Sequence, residues 1–369
     1  MMWDRTARRF CPRTGDTEVM QFGRLVVQWA GLGLGAGVGW WTWRHGRSAT
    51  VAAWAAGSGE QRRAGRLSVR TVGSGEPVIL LLHGMIAAGN SFGAAYDELA
   101  EVATLVVPDL LGFGGSLQTS GRIDAAAHVR ALDDALRVLG LDRQPTVVVG
   151  HSMGGGLAIR WAACHTDRVR AVVALGAPLY VNRVEADEHV AAMGRMEALL
   201  AGDGMPSRLL CAWMCRHRTL ASWIAVAYRP DLPVPVARSG VKHTWATYTG
   251  SMDGLIRDDG WREALDHLAR ACIPVHLAAG VRDPVPVAGR AEELARSHPN
   301  LTVAVHPYAD HGLPMTDPEW CRRLIAGAMK ARCCPDRDSA ELGHGEQDSR
   351  GLQCLEGVQR IRHDEQIPG

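Results

Sequence analysis

Through most of the chain, apolar residues come in two alternating kinds of segment. Short, nearly continuous apolar runs at Val78 to Leu82, Ala103 to Val107, Thr146 to Val149, Val169 to Leu175, Ile273 to Ala279 and Leu301 to Val305 predict strands buried on both faces. Between them lie stretches with apolar residues at every third or fourth position. In Ala125 to Leu139, for example, Val129, Leu132, Ala135, Leu136 and Leu139 line one side of a helix. Asn90 to Ala100, the segment after Met153, Ala288 to Ser297 and Pro318 to Lys330 read as further helices. Asp317 is placed to cap the last of them, and Pro318 suits its first turn. Leu67 to Val72 alternates as a half-exposed strand does, and Gly73-Ser74-Gly75-Glu76-Pro77 then turns the chain. Strands and helices in strict alternation predict an α/β fold, a mostly parallel sheet with helices on both faces.

This rhythm divides the chain. It holds over residues 66–178 and 259–330, which form the predicted core. Residues 179–258 break it with a helical pattern rich in large apolar side chains, including Met193, Met196, Leu199, Leu209, Trp213 and Trp223, punctuated by Pro230, Pro233 and Pro235. An insertion of that size between two strands predicts a helical cap over a hydrophobic cleft, although a small satellite core would show the same pattern. Residues 331–369 are polar and predict a disordered tail.

At the other end, residues 1–24 are polar and arginine-rich, whereas 25–43 carry no charge. The uncharged run is long enough to cross a bilayer as a helix. Gly31, Gly35 and Gly39 give it a face on which a second copy could pack as a helix-mediated homodimer, and Trp40, Trp41 and Trp43 sit where an interfacial belt would lie. It therefore predicts a membrane anchor followed by a linker over 44–65. A secretory signal ending near Ala53-x-Ala55 and an inconsequential leader are the competing readings. Arginines are denser before the run than after it, which would place the following domain outside the cytoplasm, with a secreted or cytoplasmic protein as the alternative.

Composition removes several classes of function. Among 369 residues, 40 Lys and Arg balance 39 Asp and Glu, for a net charge of +1, which argues against a nucleic-acid surface. The nine cysteines are odd in number and scattered through apolar segments, as free thiols are. Cys333, Cys334, His344, Cys354 and His363 match no standard zinc spacing, so neither a metal nor another cofactor is expected.

The chemistry gathers at Thr146-Val147-Val148-Val149-Gly150-His151-Ser152-Met153-Gly154-Gly155-Gly156. A buried strand, a Gly150-x-Ser152-x-Gly154 turn and an immediate helix make a nucleophile elbow. Glycine is needed at Gly150 and Gly154 because the strand and helix backbones pass too close for side chains. The turn would present the Ser152 hydroxyl and leave the Met153 N–H at a helix N-terminus, ready for an anion. An activated serine also needs a base, an acid to orient that base and a second oxyanion donor.

Further motifs follow the other predicted strands. His83-Gly84-Met85 follows one, Asp109-x-x-Gly112-x-Gly114-x-Ser116 another, Asp283 a third and His311-Gly312 the last. With these residues, 66–330 resembles the α/β-hydrolase superfamily, and the wording Gly-His-Ser-Met-Gly-Gly at 150–155 is similar to carboxylesterases and monoacylglycerol lipases. The resemblance implies Ser152 as nucleophile, His311 as general base and Asp283 as the acid that orients it. It also implies backbone N–H groups of Met153 and Met85 as the oxyanion hole, with Gly84, Gly150 and Gly154 keeping the backbone close. His306 competes with His311 for the base. Asp109 is expected to order the loop beneath the site. Serine in place of an elbow aspartate favours acyl chemistry on a lipophilic ester over dehalogenation or epoxide opening. Carbon–carbon bond hydrolysis by the same triad, or a non-catalytic ligand-binding member of the fold, remain the alternatives.

Overall fold

A computed structural model describes residues 53–117, 123–194, 198–199 and 204–331. All of them belong to one compact unit, Ala49–Gly369. The strands are β1 (Glu60–Ala64), β2 (Leu67–Val72), β3 (Val78–Leu82), β4 (Thr104–Asp109), β5 (Thr146–His151), β6 (Val169–Leu175), β7 (Val275–Gly280) and β8 (Leu301–His306). They form one sheet in the order β1-β2-β4-β3-β5-β6-β7-β8. β1, β2 and β4 pair antiparallel, and every pairing from β4 through β3 to β8 is parallel.

The helices are α1 (Ala125–Leu139), α2 (Met153–Cys164), α3 (Arg183–Met193), α4 (Met205–Arg216), α5 (Arg218–Tyr228), α6 (Val234–Ser239), α7 (Trp245–Ser251), α8 (Trp261–Arg270), α9 (Arg290–Ser297), α10 (Leu313–Thr316) and α11 (Pro318–Lys330). A π-helical turn, Met252–Ile256, follows α7.

The apolar runs become strands because each is covered twice. Leu80 and Leu82 of β3 pack into one layer with Leu132 of α1, Leu157 of α2 and Leu265 of α8. Their neighbours Ile79 and Leu81 face the other layer, with Tyr96, Leu99 and Ile325 and Ala328 of α11. Burying both faces removes the polar alternation of a half-exposed strand. Asp124 caps α1 by accepting from Ala127 N, and Gly140 ends it in the left-handed conformation. Asp317 caps α11 by accepting from Trp320 N at 2.9 Å.

Two elements differ from the expected ones. Residues 60–64, inside the predicted linker, form the edge strand β1, antiparallel to β2. Glu60 to Arg63 are exposed on both faces, so pairing alone makes them a strand and no apolar rhythm announces it. Asn90 to Ala100 is not an α-helix but two short 3-10 segments, Gly89–Ser91 and Ala94–Glu101, broken where Gly93 adopts an extended backbone. A side chain on Gly93 would meet Ala55 O at 2.6 Å, so the break lets the segment before β1 pass closely.

The insert between β6 and α8 is helical, from α3 to the π turn. It is stitched to the loops after β3 and β4. Gly114 N donates to Lys242 O at 2.9 Å, and Asn90 Nδ2 donates to Pro235 O at 3.1 Å. The expected anchor at 25–43 and the tail after residue 331 lie outside the described residues, and of the expected signal sequence only the end near Ala53-x-Ala55 lies within them. Among the described residues no helix is long and apolar enough to cross a membrane.

Candidate active site

The β5–α2 junction carries the geometry that the elbow pattern demands. Ser152 has φ 54° and ψ −124°, a backbone region that side-chain-bearing residues avoid. The turn is clamped from both sides, by Ser152 N donating to Leu175 O and Gly155 N donating to Ser152 O, each at 2.8 Å. The glycines leave no alternative. A Cβ on Gly150 would stand 2.0 Å from Gly154 O, and one on Gly154 would stand 2.3 Å from Leu82 O. On Gly84 a Cβ would press on Ser152 Cβ at 3.0 Å. The serine side chain is half-buried.

Asp283 and His311, which follow β7 and β8, are brought together by the parallel pairing of those strands. His311 Nδ1 lies 2.9 Å from Asp283 Oδ1 and 3.0 Å from Oδ2, so the ring donates there and leaves Nε2 to take a proton. The carboxylate is almost fully buried, with its side chain 2% exposed, and Oδ1 also accepts from Val285 N at 2.9 Å. Among the described residues Ser152 Oγ makes no hydrogen bond to His311. In unliganded sites of this kind that bond is commonly long and tightens around a bound substrate. The competing His306 is turned away, with Nε2 3.1 Å from Asp317 Oδ2 and Nδ1 accepting from Ala309 N at 2.9 Å.

The candidate oxyanion donors sit on two rigid pieces. Met153 is the first residue of α2, where N–H groups have no partner within the helix. Met85 follows His83-Gly84, and His83 fixes that loop. Leu110 N donates to His83 Nε2 at 2.8 Å, so the ring proton is on Nδ1, which donates to Gly84 O at 2.7 Å. Burial holds the His83 pKa below its ordinary value, against the opposing pull of Asp109. Next to Met85, Ile86 takes a positive φ of 54°. Asp109 ties the floor of the site together, accepting from Gly89 N and Gly115 N at 2.7 Å each.

His151 was not singled out by the sequence, although it lies inside the elbow motif. Its Nε2 donates to His311 O at 2.9 Å, and the two rings lie 4.6 Å apart. Burial, then the nearby His311, pushes its pKa down to about 3, so this second imidazole stays neutral. The signal was its identity as an aromatic base next to the nucleophile. Its contact with His311 crosses the fold and leaves no local trace.

A cleft of about 290 Å³ opens beside Asp283, among the ends of β7 and β8 and the segment Pro286–Glu292. Ser152, Met85 and Met153 do not line it. Among the described residues no group of three or more His, Cys, Asp and Glu is arranged to hold a metal ion, and Cys164, Cys211, Cys215, Cys272 and Cys321 are free thiols.

Comparison with known proteins agrees with this architecture. A sequence model of the alpha/beta hydrolase fold matches residues 77–202. An uncharacterized protein of Mycobacterium tuberculosis is 38% identical over 97 residues, 26% of this chain, and the match spans only 28% of that relative. A pimeloyl-[acyl-carrier protein] methyl ester esterase of Chromobacterium violaceum is 29% identical over 255 residues, covering 66% of this chain and 91% of the esterase. The crystal structure of an E-2-(acetamidomethylene)succinate hydrolase superposes with a TM-score of 0.57 at 22% identity, covering 74% of this chain and 99% of that one. The chain has the α/β-hydrolase fold.

Proposed function

We propose that this α/β-hydrolase-fold protein is a serine hydrolase that cleaves carboxylic esters with a lipophilic acyl or alkyl group. The observation that carries the reading is the Asp283–His311 pair, bonded through His311 O to His151 of the elbow, beside Ser152 held at φ 54°. In this reading Ser152 Oγ attacks the ester carbonyl carbon while its proton passes to His311 Nε2. Asp283 fixes the ring's tautomer and stabilises the imidazolium. The carbonyl oxygen, now an anion, is received by the N–H groups of Met153 and Met85, each such donor contributing about 3 kcal/mol to the barrier reduction. As the tetrahedral adduct collapses, the alkoxide leaves with the proton from His311, and an acyl-enzyme remains. Water, deprotonated by the same ring, releases the acid.

The helical insert and its apolar side chains support a lipophilic substrate. The uncharged run Leu25–Trp43 would hold the enzyme where such substrates partition. The test is labelling by a fluorophosphonate together with a panel of p-nitrophenyl esters of graded chain length. The reading expects one adduct, on Ser152, and turnover that Ser152→Ala abolishes. No adduct on the folded protein would end the hydrolase reading. An adduct without ester turnover would end the ester assignment and leave carbon–carbon bond hydrolysis by the same residues.

A further inference from the structure

The insert has an outer surface that the proposed chemistry does not use. On α4, Met205, Leu209, Ala212 and Arg216 recur at helical spacing and are all exposed, whereas Ser207 and Cys211 on the opposite side are buried. On α5, which follows directly, Leu220 and Trp223 are exposed while Ala221 and Ser222 are buried. Exposure is large for apolar side chains, at 63% for Met205, 43% for Leu209, 48% for Leu220, 52% for Trp223 and 54% for Tyr228. Scattered exposed leucines need no explanation, but large exposed apolar side chains on two successive helices of one insert do.

Charge is as uneven as exposure there. The whole chain is nearly neutral, yet from Gly204 to Met252 it carries Arg208, Arg216, Arg218, Arg229, Arg238 and Lys242 against one acid, Asp231. That acid is already taken, 2.6 Å from Arg229. Arg208, Arg216 and Lys242 are exposed, and among the described residues no carboxylate pairs with them. The guanidinium of Arg238 lies 4.6 Å from the centre of the Trp223 ring, which places a cation and an indole at one spot on the surface.

We propose that this face of α4 and α5 docks on an anionic lipid surface. Cations interleaved with long apolar side chains match a negatively charged headgroup layer with hydrocarbon just beneath it. An anionic headgroup layer also supplies the counter-charge that Arg208, Arg216 and Lys242 lack among the described residues. The surface stands apart from the hydrolytic reading, since none of these residues touches Ser152, Asp283 or His311.

The test uses the full chain and co-sedimentation with vesicles of phosphatidylcholine alone or mixed with phosphatidylglycerol. Two double variants are compared with the parent, Leu220→Ser with Trp223→Ser, and Arg208→Glu with Arg216→Glu. All four side chains are exposed or face outward, so far-ultraviolet circular dichroism and the thermal midpoint should stay as in the parent. Because the segment before residue 53 is the same in every chain, differences among the chains report on the insert. The expected result is binding that favours the anionic vesicles, falls with added salt and drops at least tenfold in each double variant. Brominated lipid should also quench part of the tryptophan emission, and Trp223→Ser should remove that part. Equal binding by parent and variants, together with brominated-lipid quenching that Trp223→Ser leaves unchanged, would overturn the proposal, because the segment before residue 53 cannot supply quenching at Trp223. So would equal binding to both vesicle types, or no vesicle binding together with saturable capture of an acidic carrier protein.

Discussion

Replacing Ser152 with glycine and with alanine separates the cost of the elbow from its use. Both variants lose the hydroxyl, and only glycine also loses the Cβ that makes φ 54° and ψ −124° unfavourable. A non-glycine residue held in such a region costs about 1–3 kcal/mol. Glycine gives back about 0.5–1 kcal/mol through the greater freedom of the unfolded chain. Relief should prevail, because Ser152 N and Ser152 O remain bonded to Leu175 O and Gly155 N and hold the turn in place. Ser152→Gly is therefore expected to exceed Ser152→Ala in stability by about 0.5–2 kcal/mol. For a domain of this size that is a rise of a few degrees in thermal midpoint, at about 2–4 °C per kcal/mol. Urea denaturation followed by tryptophan fluorescence measures the difference, and ester turnover confirms that both variants are inactive. If the glycine variant proves equal to or weaker than the alanine variant, the turn stores no strain, and the account of why serine is tolerated there fails.

His151→Leu removes the donor to His311 O and should lower kcat about fivefold with little change in KM, the loss of one hydrogen bond worth about 1 kcal/mol. His151→Gln, whose amide can reach the same carbonyl, should restore most of the rate, and equal loss in both variants would reject a positioning role. Gly176→Ala would place a Cβ 2.7 Å from Asp283 Oδ2 and 3.1 Å from His311 Nδ1, at a φ of +57°. It should cost most of the activity while fluorophosphonate labelling slows in parallel, and unchanged labelling would refute the geometry. His128 and His243, 1% and 4% exposed, are buried neutral with pKa values pushed by desolvation down to about 3 and about 4. The unfolded chain takes up protons at both below about pH 6.5 and the folded one does not. Stability should therefore fall by about 1.4 kcal/mol per pH unit for each ring as pH drops from 6.5 toward 4. His128→Gln should flatten that slope by one ring's worth in denaturation series across this range.

How much of this was legible in the chain depends on the range of the forces involved. Ala125–Leu139, Val169–Leu175 and Pro318–Lys330 emerge with the bounds their own patterns predict, because caps, prolines and apolar periodicity act within a few residues. The elbow was equally local, since the clash that excludes side chains at Gly150 and Gly154 arises within one strand, turn and helix. Glu60–Ala64 carries no such pattern, because an edge strand exposed on both faces is defined only by the neighbour it pairs with.

Tertiary structure alone decided the contacts between distant segments. The parallel pairing of β7 with β8 sets Asp283 against His311, the sheet brings the His151 ring to the carbonyl of His311, and the packing of the insert leaves Trp223 and Leu220 outside. A sequence can specify which side chains are apolar, but which of them find a partner depends on how the layers close. That closure is a sum of many weak burials spread over the whole domain, and no single segment contains it.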